Sequence, residues 1–325
     1  MRKSHRCFES AIKANNRRKP MSLSQYEALL KAVETGTMTQ AAEELGYTQS
    51  GLTRALSSLE EQWGIRLLNR GRGGVQLTPE GQLLLPYIST VLNDQRRLAE
   101  RVGEINGLRE GLIRIGTFNS VSAQWLPGMI KKFQSDYPGI RFELLHGTDT
   151  QIVGWVADGR VDVGFVAYPT RPELDADFLY RDPIVGIFAD DDPLAELQTL
   201  PITMLQELPY IALNEGVEDE ITAILDQNHI ELDARFVESD DHAVIAMVEQ
   251  GLGTSLMSMM MLQGFDRRIT AVPLDPPGYR ELGIACRSRR LLSAAASKFY
   301  DYACQWVQEE YAGKEYADVE NKTNE

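Results

Sequence analysis

The stretch from Gln49 to Gln62 carries the residues best suited to recognition chemistry. Leu52, Leu56, Leu59 and Trp63 recur at i, i+4, i+7 and i+11, the spacing of one buried helical stripe. Gln49, Ser50, Thr53, Arg54 and Ser57 fall on the other side, which is small, polar and free of acids. Amide, hydroxyl and guanidinium groups of this kind hydrogen-bond base edges in a major groove, and the same groups bind phosphate. Glu60 and Glu61 come only toward the far end, which points to docking by the N-terminal half of the helix. Beyond it, apolar segments at 65–68 and 75–77 flank Asn69-Arg70-Gly71-Arg72-Gly73-Gly74, so a hairpin is predicted with Arg70 and Arg72 at its tip. Alone, an Arg-Gly tip is a solvated turn. Directly after a polar-faced helix it reads as a wing that grips a phosphate backbone.

Such a helix needs a scaffold, and the preceding residues supply one. Ser24 and Glu27 fit a capping box, followed by Tyr26, Leu29, Leu30 and Val33 as one apolar stripe that Gly36 terminates. A short helix is expected from about Thr39 to Leu45, where Ala41 and Ala42 permit close approach of a neighbour. Gly46 and Thr48 then make a turn and a cap, completing a helix-turn-helix. Thr78-Pro79-Glu80 starts a further helix running to about Ile105, with Leu83, Leu84, Tyr87, Ile88, Val91, Leu92, Leu98 and Val102 on apolar positions. Its length suits a dimerisation element; the other reading is a core helix of the next domain.

Past residue 108, strand-like and helix-like segments alternate, which predicts α/β lobes. Strands are expected at 112–116, 140–145 and 161–167, joined by helices in a βαβαβ order that calls for parallel pairing. A second lobe is expected from Pro183, with strands at 184–188, 210–213, 235–238 and 254–257, before 282–286 and a helix at 293–307 return to the first. In open α/β sheets ligands bind at the carboxyl ends of strands. Those ends supply Asn119, Ser120, Gly147, Thr148, Tyr168, Asn214 and Ser239 as candidate contacts for a small molecule. Each is equally readable as an ordinary cap or turn residue. Gly251-Leu252-Gly253 lacks the third glycine of a dinucleotide loop and reads as a structural turn.

The 325 residues favour two or three domains. The net charge of −14 is unevenly spread: residues 1–20 hold seven Lys/Arg against one acid, and residues 108–325 hold 18 against 36. The overall acidity therefore says nothing against a nucleic-acid surface near the N-terminus. No apolar stretch approaches the ~20 residues of a bilayer span. Residues 1–20 are basic without an apolar core, so no secretory signal is read and a cytoplasmic location is expected. Cys7, Cys286 and Cys304 have neither disulfide nor metal spacing and read as structural thiols. His5, His146, His229 and His242 are scattered, and Asp190-Asp191-Asp192 reads as a solvated loop, so neither a metal nor a cofactor is expected. Met257, Met259, Met260 and Met261 suit an irregular core.

The run AAEELGYTQSGLTRALSSLEEQWGIRLLNRGRGGVQLTPEGQLLL resembles the DNA-binding domain of LysR-type transcriptional regulators. The matching features are the Ala-Ala pair, T-Q-x-x-L-T-R, L-E-x-x-x-G, L-x-x-R and L-T-x-x-G. Ser50 stands where the family usually has Pro, and Leu68 where Phe is common. The resemblance continues more weakly from about Gly111 to Val307. It implies an N-terminal all-α winged helix-turn-helix with a long linker helix, then a two-lobed α/β effector-binding domain resembling periplasmic binding proteins. It also implies a metabolite held between the lobes and a homodimer that pairs into a tetramer on promoter DNA. The expected domains are a disordered extension over 1–20, the winged helix over 21–78 and the linker helix over 79–107. The effector domain spans 108–312 (lobe I 108–182 and 273–312, lobe II 183–272), with a disordered tail over 313–325.

Two other functions compete with a ligand-responsive regulator. The lobes alone would suit a solute-binding protein, which the winged helix argues against. An enzyme would need a nucleophile–base pair, metal cluster or cofactor fingerprint, and the sequence presents none.

Overall fold

A computed structural model describes residues 22–71, 74–105, 111–213, 220–264 and 268–311. The expected extension over 1–20, the tail over 313–325, Arg72 and Asn214 lie outside the described residues. The chain divides into two compact units, one running to Glu100 and including Asp158–Arg160, the other holding Arg101–Ala157 and Val161 onward.

In the first unit, α1 (Leu23–Thr35), α2 (Met38–Glu44) and α3 (Gln49–Trp63) precede the hairpin β1 (Leu68–Gly71) and β2 (Gly74–Leu77), then α4 (Pro79–Ile105). The apolar spacing gathers into one core of Ala28, Leu29, Ala32, Ala41, Ala42, Leu52, Leu56, Leu59 and Leu67, joined by Ile88 and Leu92 of α4. The first cap differs from expectation. Ser22, not Ser24, precedes the helix, and its amide donates to Gln25 Oε1 at 3.3 Å. The wing's first strand also begins later than its apolar residues, because the Leu67 and Leu68 amides donate to a side chain of α3. Gly74 has φ +93°, and a Cβ there would lie 2.5 Å from the Gly36 carbonyl oxygen. That approach lets the Val75 amide donate to the same oxygen at 2.8 Å, pinning β2 to the end of α1.

The second unit begins β3 (Gly111–Thr117), α5 (Asn119–Gln124), α6 (Leu126–Asp136), β4 (Ile140–His146), α7 (Asp149–Ala157) and β5 (Val163–Ala167). Next come β6 (Asp175–Ala189), β7 (Leu200–Pro201), β8 (Tyr210–Leu213), α8 (Glu220–Gln227), β9 (Ala234–Glu238) and α9 (Asp241–Glu249). The chain closes with β10 (Ser255–Ser258), α10 (Met259–Leu262), β11 (Ile269–Cys286) and α11 (Ala294–Tyr311). β3 pairs in parallel with both β4 and β5, as the βαβαβ order requires. β8 and β9 form a separate parallel pair.

The strands expected at 184–188 and 282–286 are parts of two much longer ones. β6 and β11 pair antiparallel from one lobe to the other, with Asp182 opposite Arg280, so the chain passes between lobes inside strands near Pro183. Trp125, Phe133, Phe299 and Tyr300 centre the first lobe's core. Met257, Met259 and Met261 pack in the second, and Met260 joins the first. Gly251 and Gly253 both have positive φ, and a Cβ on Gly253 would meet the Pro209 carbonyl oxygen at 2.3 Å, so this pair is a tight turn. Among the described residues no helix is long and apolar enough to cross a membrane. Among them, no group of three or more His, Cys, Asp or Glu is placed to hold a metal ion.

Candidate nucleic-acid interface and ligand cleft

Thr48 starts α3, its Oγ1 accepting from the Gly51 amide at 3.1 Å, and Gly64 ends it in the left-handed region. Leu52, Leu56 and Leu59 are at most 1% exposed, whereas Gln49, Ser50 and Arg54 are exposed and Thr53 and Ser57 half-buried. The helix therefore presents the polar side identified from its spacing, backed by leucine. Thr53 Oγ1 donates to the Gln49 carbonyl at 2.8 Å, which leaves its hydroxyl as an outward acceptor. Gln25 Nε2 donates to the Ala55 carbonyl at 3.2 Å and fixes α3 against the start of α1.

Arg70 lies on β1, and its guanidinium is turned toward α3. Nη2 lies 3.2 Å from Glu60 Oε2 and Nη1 lies 3.4 Å from Ser57 Oγ. Glu60 Oε1 accepts the amides of Leu67 at 2.8 Å and Leu68 at 3.1 Å. One carboxylate thus sets the height of the wing and the direction of its arginine. In the sequence, Glu60 stands out only as an acid placed away from the docking end.

In the second unit, parallel pairing brings the carboxyl ends of β3, β4 and β5 to one edge. The Gly147 amide donates to the Thr117 carbonyl at 3.1 Å, and Thr148 exchanges hydrogen bonds with Gln151 at the start of α7. Asp149, missed from sequence, accepts the Ala167 amide at 2.7 Å and ties this start to β5. Burial pushes its carboxyl above the usual range, partly offset by that hydrogen bond. Tyr168 packs its ring on Phe178, centroids 5.7 Å apart, so packing accounts for that side chain. Ser239 is exposed at the end of β9, its amide donating to Glu238 Oε1.

The two lobes touch through residues of this edge. Asn119 Nδ2 donates to Asp241 Oδ2 at 2.8 Å, joining the first residue of α5 to the first of α9. Ser120 is buried, and its Oγ accepts from Arg280 Nη2 at 2.7 Å. Arg280 pairs with Asp182, Nε to Oδ2 at 2.8 Å, and Asp182 Oδ1 accepts the Met260 amide at 3.0 Å. Asn119 and Ser120 therefore lie where the lobes meet, whereas the hydrogen bonds of Gly147 and Thr148 stay within the first lobe. Asp182, Asp241 and Arg280 carried no sequence signal, since their partners are brought in by the long strands and the lobe junction.

A polar-faced third helix with a hairpin wing, in a chain that continues into a two-lobed α/β unit, defines a helix-turn-helix regulator. Residues 23–82 match the bacterial regulatory helix-turn-helix protein, LysR family, and residues 106–308 match the LysR substrate binding domain. The chain belongs to the LysR family of transcriptional regulators. YvbU, described as an uncharacterized HTH-type transcriptional regulator of Bacillus subtilis (strain 168), is 30% identical over 286 residues, covering 87% of this chain and 98% of that protein. A full-length OxyR variant from Pseudomonas aeruginosa shares the fold with a TM-score of 0.68 at 16% identity, over 89% of this chain and 95% of that one. Full-length CbnR in complex with its target DNA does so with a TM-score of 0.64 at 19% identity, over 88% of this chain and all (100%) of that one. This chain is accordingly a LysR-type regulator with a helix-turn-helix DNA-binding domain and an α/β effector-binding domain.

Proposed function

We propose that Gln49, Ser50, Thr53, Arg54 and Ser57 read base edges in a major groove while Arg70 and Arg72 hold the flanking phosphates. The observation that carries this is the two-sidedness of α3: leucines fully buried on one side, and on the other a polar side whose N-terminal half is free of acids and exposed at Gln49, Ser50 and Arg54. CbnR, of the same fold, has been solved with its target DNA, which supports the reading. Arg70 leaves Glu60 for phosphate on binding, an exchange of one charged partner for another.

A small-molecule effector enters between the lobes near Asn119 and Ser120 and alters DNA binding by favouring one lobe arrangement, with Gly147, Thr148, Tyr168 and Ser239, and Asn214 on sequence grounds, as further candidate contacts. Two copies associate along α4, where Leu83 and Tyr87 are 73% exposed, Leu98 is 65% exposed, and Val91 and Val102 continue the stripe. Such dimers span two half-sites about 34 Å apart or a multiple of it, and two dimers form a tetramer. The chain works as a regulator in the cytoplasm, where its DNA is, and not as an enzyme or a carrier. The attachment of the lobes to a helix-turn-helix supports this.

The test is selection of fragments from the protein's own genome by the purified full-length chain, followed by footprinting. Protection of paired half-sites that survives excess unrelated DNA is expected. Binding that unrelated DNA competes away equally would overturn the proposal.

A further inference from the structure

Asp241 is 2% exposed, and its two carboxylate oxygens are treated differently. Oδ2 accepts from Asn119 across the lobe junction, whereas Oδ1 is buried and has no hydrogen-bond partner among the described residues. Nor does any arginine, lysine or histidine among them form an ion pair with it, unlike Asp182, which has Arg280. A buried carboxylate with one neutral donor is costly, since such groups ordinarily accept several hydrogen bonds or pair with a cation. The start of the nine-residue α9 offsets only part of that cost, and Asp240, not Asp241, caps its free amides. Because both oxygens share one carbon, Oδ1 lies beside the contact that joins the lobes. Residues 108–325 carry twice as many acids as bases, 36 to 18, a net charge that favours the approach of cations over anions.

We propose that the effector bears an N–H donor, an ammonium, guanidinium or amide group, that docks on Asp241 Oδ1 beside Asn119. This rests on the effector-cleft reading above and adds the chemistry of the ligand. A ligand that satisfies Oδ1 stabilises the arrangement in which Asn119 and Asp241 are held together. One that lacks a donor leaves the carboxylate as it is and gains nothing there.

The experiment uses the full-length chain and matched probe pairs: amino acids with the carboxylic acids that lack the 2-amino group, primary amides with their carboxylates, and the amines putrescine and agmatine. Binding is read by calorimetry, and location by hydrogen exchange at 117–120 and 238–242. The expected result is that donor-bearing members bind, protect both segments, and outbind their donor-less counterparts about tenfold or more, the size of a hydrogen bond to a charged group. Asp241→Asn should erase that preference. The paired comparison in the unaltered chain stands even if the variant folds poorly. Anionic members that bind better, protect both segments and tolerate Asp241→Asn would overturn the donor assignment and leave the cleft reading intact. A panel without a donor-bearing binder would likewise overturn the assignment. Binding that protects neither segment would overturn the cleft reading.

Discussion

Arg70 of the wing reaches back to Glu60 of the recognition helix, Nη2 to Oε2, at 3.2 Å. The same carboxylate holds the Leu67 and Leu68 amides, so the contact that parks the arginine also seats the wing. Replacing Arg70 with Ala should weaken binding to all DNA sequences about equally and flatten the slope of log affinity against log salt by about 1. Glu60→Gln retains an acceptor for the amides but frees the guanidinium, so its salt slope should be at least as steep as that of the unaltered chain. Titration by fluorescence anisotropy at several salt concentrations checks both. A change of preference at one base position in Arg70→Ala would contradict the phosphate role.

The docking surface depends on what lies behind it. Leu56 is 1% exposed, and Leu56→Ala should cost about 2–5 kcal/mol of stability in the N-terminal unit. Ser57→Ala, on the other side, should stay within about 0.5 kcal/mol. Denaturant unfolding followed by circular dichroism separates the two; equal costs would mean that the helix is not two-sided.

Along α4, Leu83, Tyr87 and Leu98 offer an apolar stripe to solvent, and Tyr26, Trp63, Leu84 and Ile88 line a hollow beside Tyr87 and Val91. Leu83→Glu with Leu98→Glu should lower the mass measured by light scattering toward that of one chain, leaving the unfolding of α1 to α3 unchanged. Retention of the oligomeric mass would place the contact elsewhere.

Burial, then the negative charge of Asp177, pushes the Cys304 thiol up to about 11. Burial, then Asp182, pushes the Tyr180 hydroxyl up to about 12. Both groups are neutral when folded, and their pKa values lie above the ordinary 9.0 and 10.0. Their contribution to stability is therefore complete below those ordinary values and is lost as pH rises through about 11 and 12. Thermal midpoints should be insensitive to these groups at pH 7–8 and fall above pH 9, less so between 9 and 11 in Cys304→Ser. Iodoacetamide should modify the half-buried Cys304 only slowly in the folded chain at pH 8; rapid alkylation there would contradict its raised pKa.

The N-terminal unit was legible because its information is local. Leucine spacing, Thr48, Gly64 and the Arg-Gly tip act within a few residues of one another. In the second unit, β3, β4 and β5 were legible as apolar runs between turn signals. The long strands β6 and β11 were not, since Pro183, Pro273 and Pro276-Pro277 interrupt the alternation that marks a strand. The cleft residues were half legible. Asn119 and Ser120 follow a recognisable strand end, but Asp241 lies 122 residues from Asn119, and Arg280 lies 98 from Asp182. Glu60 was visible as an acid, but its bonds to the wing depend on how the chain folds back.

The most direct test of the account is the base preference of Arg54→Ala, measured by selection from a randomised DNA library alongside the unaltered chain. Arg54 is exposed on α3, outside the leucine core, so the variant should fold normally. It should lose about 1–3 kcal/mol of discrimination at one base position in each half-site and keep its preference elsewhere. An unchanged sequence preference at full affinity would mean that this side of α3 does not read DNA.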